Sequence, residues 1–297
     1  MSMASKYIIA GPASQILSVQ TAKLMNTPII ETEFKKFPDG ENYVRLNIED
    51  ESMLKNSEVI IIQSTDYPQN DHLWELLYLI SIAKRTGASN IRVVVPYLSY
   101  SRQDKVFRPG EAVSARLILR LIQDAGATEF FTVDIHSPDV FKELSIPAHN
   151  LDAMPALAES LSNYELKDPA VISPDKGSRE RSGQFAKLID AELVMFDKSR
   201  DRITGEITME GDVSLEGRDV AIADDIIATG GTMSAAIKIA KEGGARRLFA
   251  LCSHPLLTKN AMFRLYNAGV EAVIGTNTVL SPVSRVSVAP LLKQNLE

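Results

Sequence analysis

The sequence predicts an α/β protein of two similar domains, each a mostly parallel sheet flanked by helices. Three observations carry this prediction. A helical stretch ending in glycine is followed by a short apolar run four times: Lys84–Gly87 before Ile91–Val95, Asp124–Gly126 before Phe130–Val133, Glu242–Gly244 before Leu248–Leu251, and Asn267–Gly269 before Val270–Ile274. Glycine just past a helix supplies the left-handed conformation that ends it. The runs are apolar on both faces, as central parallel strands must be when helices cover both sides of the sheet. Finally, 297 residues, 45% apolar and 24% charged, suit two domains of ordinary size.

Taken in order, further strand-like runs lie at Tyr7–Ala10, Val59–Ile62, Ala170–Ile172, Leu193–Phe196 and Val220–Ala223. Leu73, Leu76, Leu77 and Ile80 form a helical core stripe, and Val113, Leu117 and Leu121 are expected to form another. The domains are expected at 1–150 and 151–297, with Pro147 and Asn150–Pro155 as the linker. The tail after Ser281 fits either half. Two such halves create a cleft, and ligands of α/β sheets bind beyond the C-terminal ends of the strands.

Composition excludes several classes. A net charge of −6 argues against a general nucleic-acid binder. No uncharged apolar run approaches the roughly 18 residues of a membrane helix. Met1–Ala10 lacks a secretory apolar region, so a soluble, cytoplasmic protein is expected. Cys252 is the only cysteine, which rules out an intrachain disulfide and a multi-cysteine metal site.

The strongest chemical signal runs from Val220 to Thr232: a buried strand, the acids Asp224 and Asp225, then Ala228-Thr229-Gly230-Gly231-Thr232 opening a helix. The glycines admit close backbone approach. The free N–H groups and the helix dipole favour an anion, and Thr229 and Thr232 add hydroxyl donors. Acids beside an anion site make sense if they hold sugar hydroxyls or a metal. The alternative is an ordinary strand–turn–helix with Asp225 as a cap.

Other strand ends are also polar. Phe37-Pro38-Asp39-Gly40-Glu41 reads as a turn before the strand-like Asn42–Ile48, a hairpin with acids at its tip. Tyr100-Ser101-Arg102-Gln103-Asp104-Lys105 follows one strand, Asp134-Ile135-His136 ends another, and Ser173-Pro174-Asp175 ends a third. Lys198 and Arg200 lie in a polar stretch, Asp197–Gly205, that reads equally as a solvated loop or a mobile closing loop. No GxxxxGK[ST] or GxGxxG motif is present.

The Val220–Thr232 string resembles the phosphoribosyl-pyrophosphate motif of the type I phosphoribosyltransferase fold. Taken with the other segments, nearly the whole chain resembles the ribose-phosphate pyrophosphokinases. That resemblance implies a phosphoribosyltransferase-like fold and transfer of a diphosphoryl group from ATP to ribose 5-phosphate, with Mg2+ as cofactor. It implies that Phe37, Asp39, Gly40 and Glu41 belong to a flag that binds ATP of a neighbouring subunit in a homo-oligomer. Arg102 and Gln103 would also bind ATP. His136 and Asp175 would take magnesium, and Lys198 and Arg200 would act on the transferring phosphate. Asp224, Asp225, Ala228, Thr229, Gly230, Gly231 and Thr232, with Arg200, would bind ribose 5-phosphate. Ala228 and Ser199 depart from the family's usual residues, which leaves regulation and nucleotide preference open. A phosphoribosyltransferase and a non-catalytic partner of an active synthetase are the competing readings. The flag and Arg102-Gln103 argue against the first, and the retained basic and acidic residues against the second.

Overall fold

The computed structural model describes residues 5–174, 177–195, 197–200, 207–210 and 214–297, with 197–200 and 207–210 as backbone only. It divides into two compact units. The first comprises Met1–Asp152, Thr278–Leu280 and Ser287–Glu297, and the second Ala153–Asn277 and Ser281–Val286.

The first unit is built on a six-stranded parallel sheet. Its strands are β1 (Lys6–Ala10), β2 (Ile29–Ile30), β5 (Glu58–Ile62), β6 (Asn90–Val95), β7 (Glu129–Val133) and β8 (Ala148–Leu151). They lie in the order β2-β1-β5-β6-β7-β8. Between β2 and β5 the chain leaves the sheet as an antiparallel hairpin, β3 (Thr32–Lys36) and β4 (Asn42–Leu46). Helix α1 (Gln15–Met25) packs on β1, while α2 (Gln69–Arg85) and α3 (Ser114–Ala125) carry the crossovers that follow β5 and β6. Val59, Ile61, Val93 and Val95 face the helices α2 and α3 in one core, with Leu76, Ile80, Ile118 and Ile122. Ile8, Ile60 and Ile62, alternating with them, are fully buried on the other side. That two-sided burial is what made these strands readable as unbroken apolar runs.

The second unit repeats the plan. After α4 (Met154–Ser160), β9 (Ala170–Ile172), β10 (Glu192–Val194), β13 (Asp219–Ile226), β14 (Arg247–His254), β15 (Ala272–Thr276) and β16 (Ser284–Val286) form a parallel sheet ordered β10-β9-β13-β14-β15-β16. Its excursion sits at the equivalent place, between β10 and β13, as the antiparallel pair β11 (Asp197–Arg200) and β12 (Ile207–Glu210). Helices α6 (Gly231–Glu242) and α7 (Ala261–Ala268) cover the face carrying Val220, Ile222 and Ala250. Helices α4 and α5 (Arg179–Leu188) cover the face carrying Ala221, Ala223 and Leu251. The four helix-ending glycines adopt positive φ as expected: Gly87 +86°, Gly126 +131°, Gly244 +86° and Gly269 +108°.

One expectation needs correction. In α3 the buried residues are Ala115, Ile118, Leu119 and Ile122, whereas Leu117 and Leu121 are exposed. The helix carries two apolar stripes, and spacing alone does not say which one faces inward. The break between the units falls between Asp152 and Ala153, inside the segment expected as the linker, and it is short: β8 extends to Leu151 beside β7, and α4 begins at Met154. The tail after Ser281, which fitted either half, divides between them: Ser281–Val286 belongs to the second unit and Ser287–Glu297 to the first. Helix α8 (Ala289–Leu296) packs against α1, and its Leu292 and Leu296 are fully buried. Arg92 donates to the carbonyls of Asn295 and Leu296, and Lys6 also donates to that of Leu296. Arg92 is itself held by Glu58 and Glu129 from the neighbouring strands.

Candidate functional site

In the second unit, Asp224 and Asp225 end β13, and the chain turns through Ala228 and Thr229 into α6. Gly230 caps that helix with φ +71°, a conformation that side-chain-bearing residues rarely adopt. Three carbonyls of the turn are tied to α7 and the segment leading into it. Leu257 N–H donates to Ile227 O at 3.0 Å, Thr258 N–H to Ala228 O at 2.9 Å, and Arg264 Nη1 to Thr229 O at 2.9 Å. In a trans peptide the carbonyl and the next N–H point in opposite directions. Anchoring these carbonyls therefore turns the N–H groups of Ala228, Thr229 and Gly230 away from that segment. Thr229, Gly231 and Thr232 are exposed, so the donors at the start of α6 face open solvent. The arrangement suits a phosphate.

Behind this turn the two acids are half-buried and buried, respectively. Asp224 Oδ1 accepts from Asp225 N–H and Asp225 Oδ1 from Ile226 N–H, each at 2.9 Å. Arg181, on α5, reaches both carboxylates through Nη1, at 3.0 Å and 3.2 Å. Burial and the adjacent Asp225 charge push the Asp224 carboxyl up to about 7, against the pull of Arg181. Cys252 lies opposite Asp224 on β14, and burial pushes its thiol up, so it stays neutral there. Neither Arg181 nor Arg264 was found from the sequence. Each comes from another helix, and no motif announces it.

In the first unit the β3–β4 hairpin exposes Phe37, Asp39, Gly40 and Glu41 at its tip. Gly40 has φ +96°, Phe37 and Glu41 close the turn, and Phe37 meets Tyr43 edge-on at 5.8 Å. The foot of the hairpin is fastened to the first turn of α2: Lys36 Nζ lies 2.6 Å from Asp71, and Asn42 Nδ2 donates to Asp71. Tyr100 Oη donates to Asn70 in the same turn. Arg102 is exposed, and Gln103 is half-buried. The Gln103 amide donates to Glu111 and to Lys105 O, and Glu111 Oε2 also accepts from the N–H groups of Phe107 and Arg108. One carboxylate thus shapes the loop that carries Arg102 and Gln103. Asp134, with φ +39°, turns the end of β7, and His136 follows it exposed.

The structure therefore brings together Asp224, Asp225 and the turn Ala228–Thr232, and it ties the hairpin and the Tyr100 segment to one helix turn. Asp175 lies outside the described residues, as do the side chains of Lys198 and Arg200. Among the described residues, no group of three His, Cys, Asp or Glu side chains is placed to hold a metal ion.

Comparison with known proteins adds a second line of evidence. Residues 6–126 match the family model described as the N-terminal domain of ribose phosphate pyrophosphokinase, and residues 144–262 match the phosphoribosyl transferase domain. A ribose-phosphate pyrophosphokinase of Methanobrevibacter smithii is 43% identical, covering 95% of this chain and 97% of that protein. One of Methanothermobacter thermautotrophicus is 40% identical, covering 96% and 98%. The crystal structure of phosphoribosylpyrophosphate synthetase from Mycobacterium smegmatis superposes with a TM-score of 0.87 at 29% identity, covering 98% of this chain and 97% of that one.

Proposed function

This chain belongs to the ribose-phosphate pyrophosphokinase family, and we propose that it transfers the β,γ-diphosphoryl group of ATP to ribose 5-phosphate, yielding 5-phosphoribosyl 1-pyrophosphate and AMP. The observation that carries this reading is the acid pair Asp224-Asp225 set directly ahead of the anchored turn at the start of α6. One element offers carboxylates to sugar hydroxyls, the other N–H donors to a sugar phosphate.

The 1-hydroxyl oxygen of the sugar attacks the β-phosphorus and gives up its proton to solvent, a new P–O bond forms, and AMP leaves with the electrons of the α,β-bridging P–O bond that breaks. Catalysis of such a step rests on positioning and on neutralising charge. Asp224 and Asp225 accept from the ribose hydroxyls. The Ala228–Thr232 turn, with the hydroxyls of Thr229 and Thr232, holds the 5-phosphate. Lys198, as a point charge, and Arg200, through its planar fork, neutralise the transferring phosphates. Arg102, Gln103 and the flag residues Phe37, Asp39, Gly40 and Glu41 take the nucleotide.

Magnesium fits this donor set. It seldom occupies an all-protein cage, keeps several waters, and binds through one or two protein groups plus substrate phosphates. The solvent-exposed His136 suits such shared coordination, and Asp175 would contribute a carboxylate. When bound, the ion supplies neutralisation of phosphate charge. The flag is proposed to serve the ATP site of a neighbouring copy in a homo-oligomer. No helix among the described residues is long and apolar enough to cross a membrane. Action in the cytoplasm is part of the proposal and follows from the metabolic role of the reaction.

The test is direct. Purified protein with Mg2+, ATP and ribose 5-phosphate should release AMP in step with phosphoribosyl pyrophosphate. ADP as the main nucleotide product would mean an ordinary kinase and would overturn the assignment.

A further inference from the structure

The acid pair at the end of β13 is gripped from a different element. Arg181 is the third residue of α5, and its side chain is only 25% exposed. Its Nη1 contacts Oδ1 of Asp224 at 3.0 Å and Oδ1 of Asp225 at 3.2 Å. Those same two oxygens accept the backbone N–H groups of Asp225 and Ile226. Each carboxylate is therefore pinned through one oxygen, between its own backbone and a shared guanidinium nitrogen. We infer that Arg181 is a positioning residue for the sugar, holding both carboxylates in fixed rotamers and as anions so that they accept from two adjacent ribose hydroxyls. The inference rests on the reading of Asp224-Asp225 as the ribose-binding element.

The charge matters as much as the geometry. A carboxylate accepts through both oxygens, whereas a protonated carboxyl turns one of them into a donor. Two neighbouring buried carboxylates disfavour each other's ionisation. Burial and Asp225 already push Asp224 up to about 7, and Arg181 opposes both. Other titratable groups near the pair are Cys252, opposite Asp224 on β14, and the buried His254, opposite Ile226. The Cys252 thiol is pushed up by burial and brings no positive charge. Asp175 and Lys176, which follow β9, lie outside the described residues. Arg181 is thus a cation, among the described residues, that contacts both acids.

The experiment measures KM for ribose 5-phosphate and kcat from near pH 6.5 to near pH 9 in the full-length enzyme, comparing wild type with Arg181→Met, Arg181→Gln and Arg181→Lys. Loss of the cation raises the Asp224 value. A rise of about one unit lowers the ionised fraction about fivefold near pH 7 and hardly at all near pH 9, so the loss of affinity should be about fivefold greater near pH 7 than near pH 9, on top of a pH-independent loss from the freed rotamers. At saturating sugar, kcat should stay within about threefold of wild type, since the loss is in ground-state binding. Both contacts run through one nitrogen, so Arg181→Lys should restore most of the affinity. If Arg181→Met fails to fold, Arg181→Gln, which keeps bulk and hydrogen-bonding capacity without the charge, decides the point. A KM unchanged in the neutral variants, or raised by the same factor at every pH, overturns the inference. Thr232→Val measured alongside separates the two levels: if KM is unmoved there too, the sugar-site reading itself fails.

Discussion

In the proposed mechanism Thr232 and Lys198 serve different stages of one reaction, so their removal should register in different constants. Thr232→Val deletes one hydroxyl donor at the start of α6. A hydrogen bond to a charged group contributes about 1.5–3 kcal/mol, so KM for ribose 5-phosphate should rise about ten- to hundredfold with kcat little changed. An unaltered KM would count against the phosphate cradle. Lys198→Ala should instead depress kcat by about a hundredfold or more, because a charge contact made mainly in the transition state acts on rate. Equal losses of sugar binding and of rate would reassign Lys198 to the ground state. At this scale the contiguous part of the candidate site is what a sequence can show: Asp224–Thr232 is one short segment, and the residue types in it are those that suit the proposed sugar phosphate. Arg181 and Arg264 were not legible. They stand 43 and 35 residues from their partners, and only the packing of α5 and α7 beside the turn makes them neighbours.

The hairpin β3–β4 stands on a foot of polar side chains. Glu75 of α2 lies there half-buried, and neither its Oε2 nor Asn42 Oδ1 finds a hydrogen-bond partner. Burial pushes the Glu75 carboxyl above its usual range. A group whose value is raised by folding favours the folded state while protonated, and that contribution is lost as pH rises through the raised value. Glu75→Gln removes the buried charge. It should therefore raise the thermal midpoint near pH 8 and change it little near pH 4, which calorimetry at the two pH values would check. A midpoint near pH 8 that stays level or falls would mean the carboxylate is stabilised there. Element types were read well wherever burial dictates the pattern: Val59–Ile62 and Val220–Ala223 are apolar on both faces because helices cover both faces. The misses have physical causes. Strands β2, β8 and β16 have two to four residues, too few to establish any period. In α3 the exposed pair Leu117 and Leu121 imitates a core stripe at the same spacing as the true one.

The two units share a strand order and place their antiparallel excursions at the same point, one bearing the proposed flag residues and the other Lys198 and Arg200. If the flag serves a neighbouring copy, two inactive variants should rescue each other. Phe37→Ala with Asp39→Ala in one chain and Lys198→Ala in the other, unfolded, mixed equally and refolded, should regain activity at about one quarter of the sites in a symmetric, freely mixing oligomer. Background activity in verified mixed oligomers would place flag and lysine of each site in one chain. The return of α8 to the first unit has a consequence for biosynthesis. That unit begins with β1 but is completed by residues 287–297, which follow the whole of the second unit. The usual expectation that the N-terminal domain folds first on the ribosome is therefore reversed at the last step. At roughly 5–20 residues per second, the nascent first unit waits on the order of ten seconds with the surface that α8 will cover still open, while the second unit can already close. During that interval the growing chain presents an unfinished apolar face to ribosome-bound chaperones.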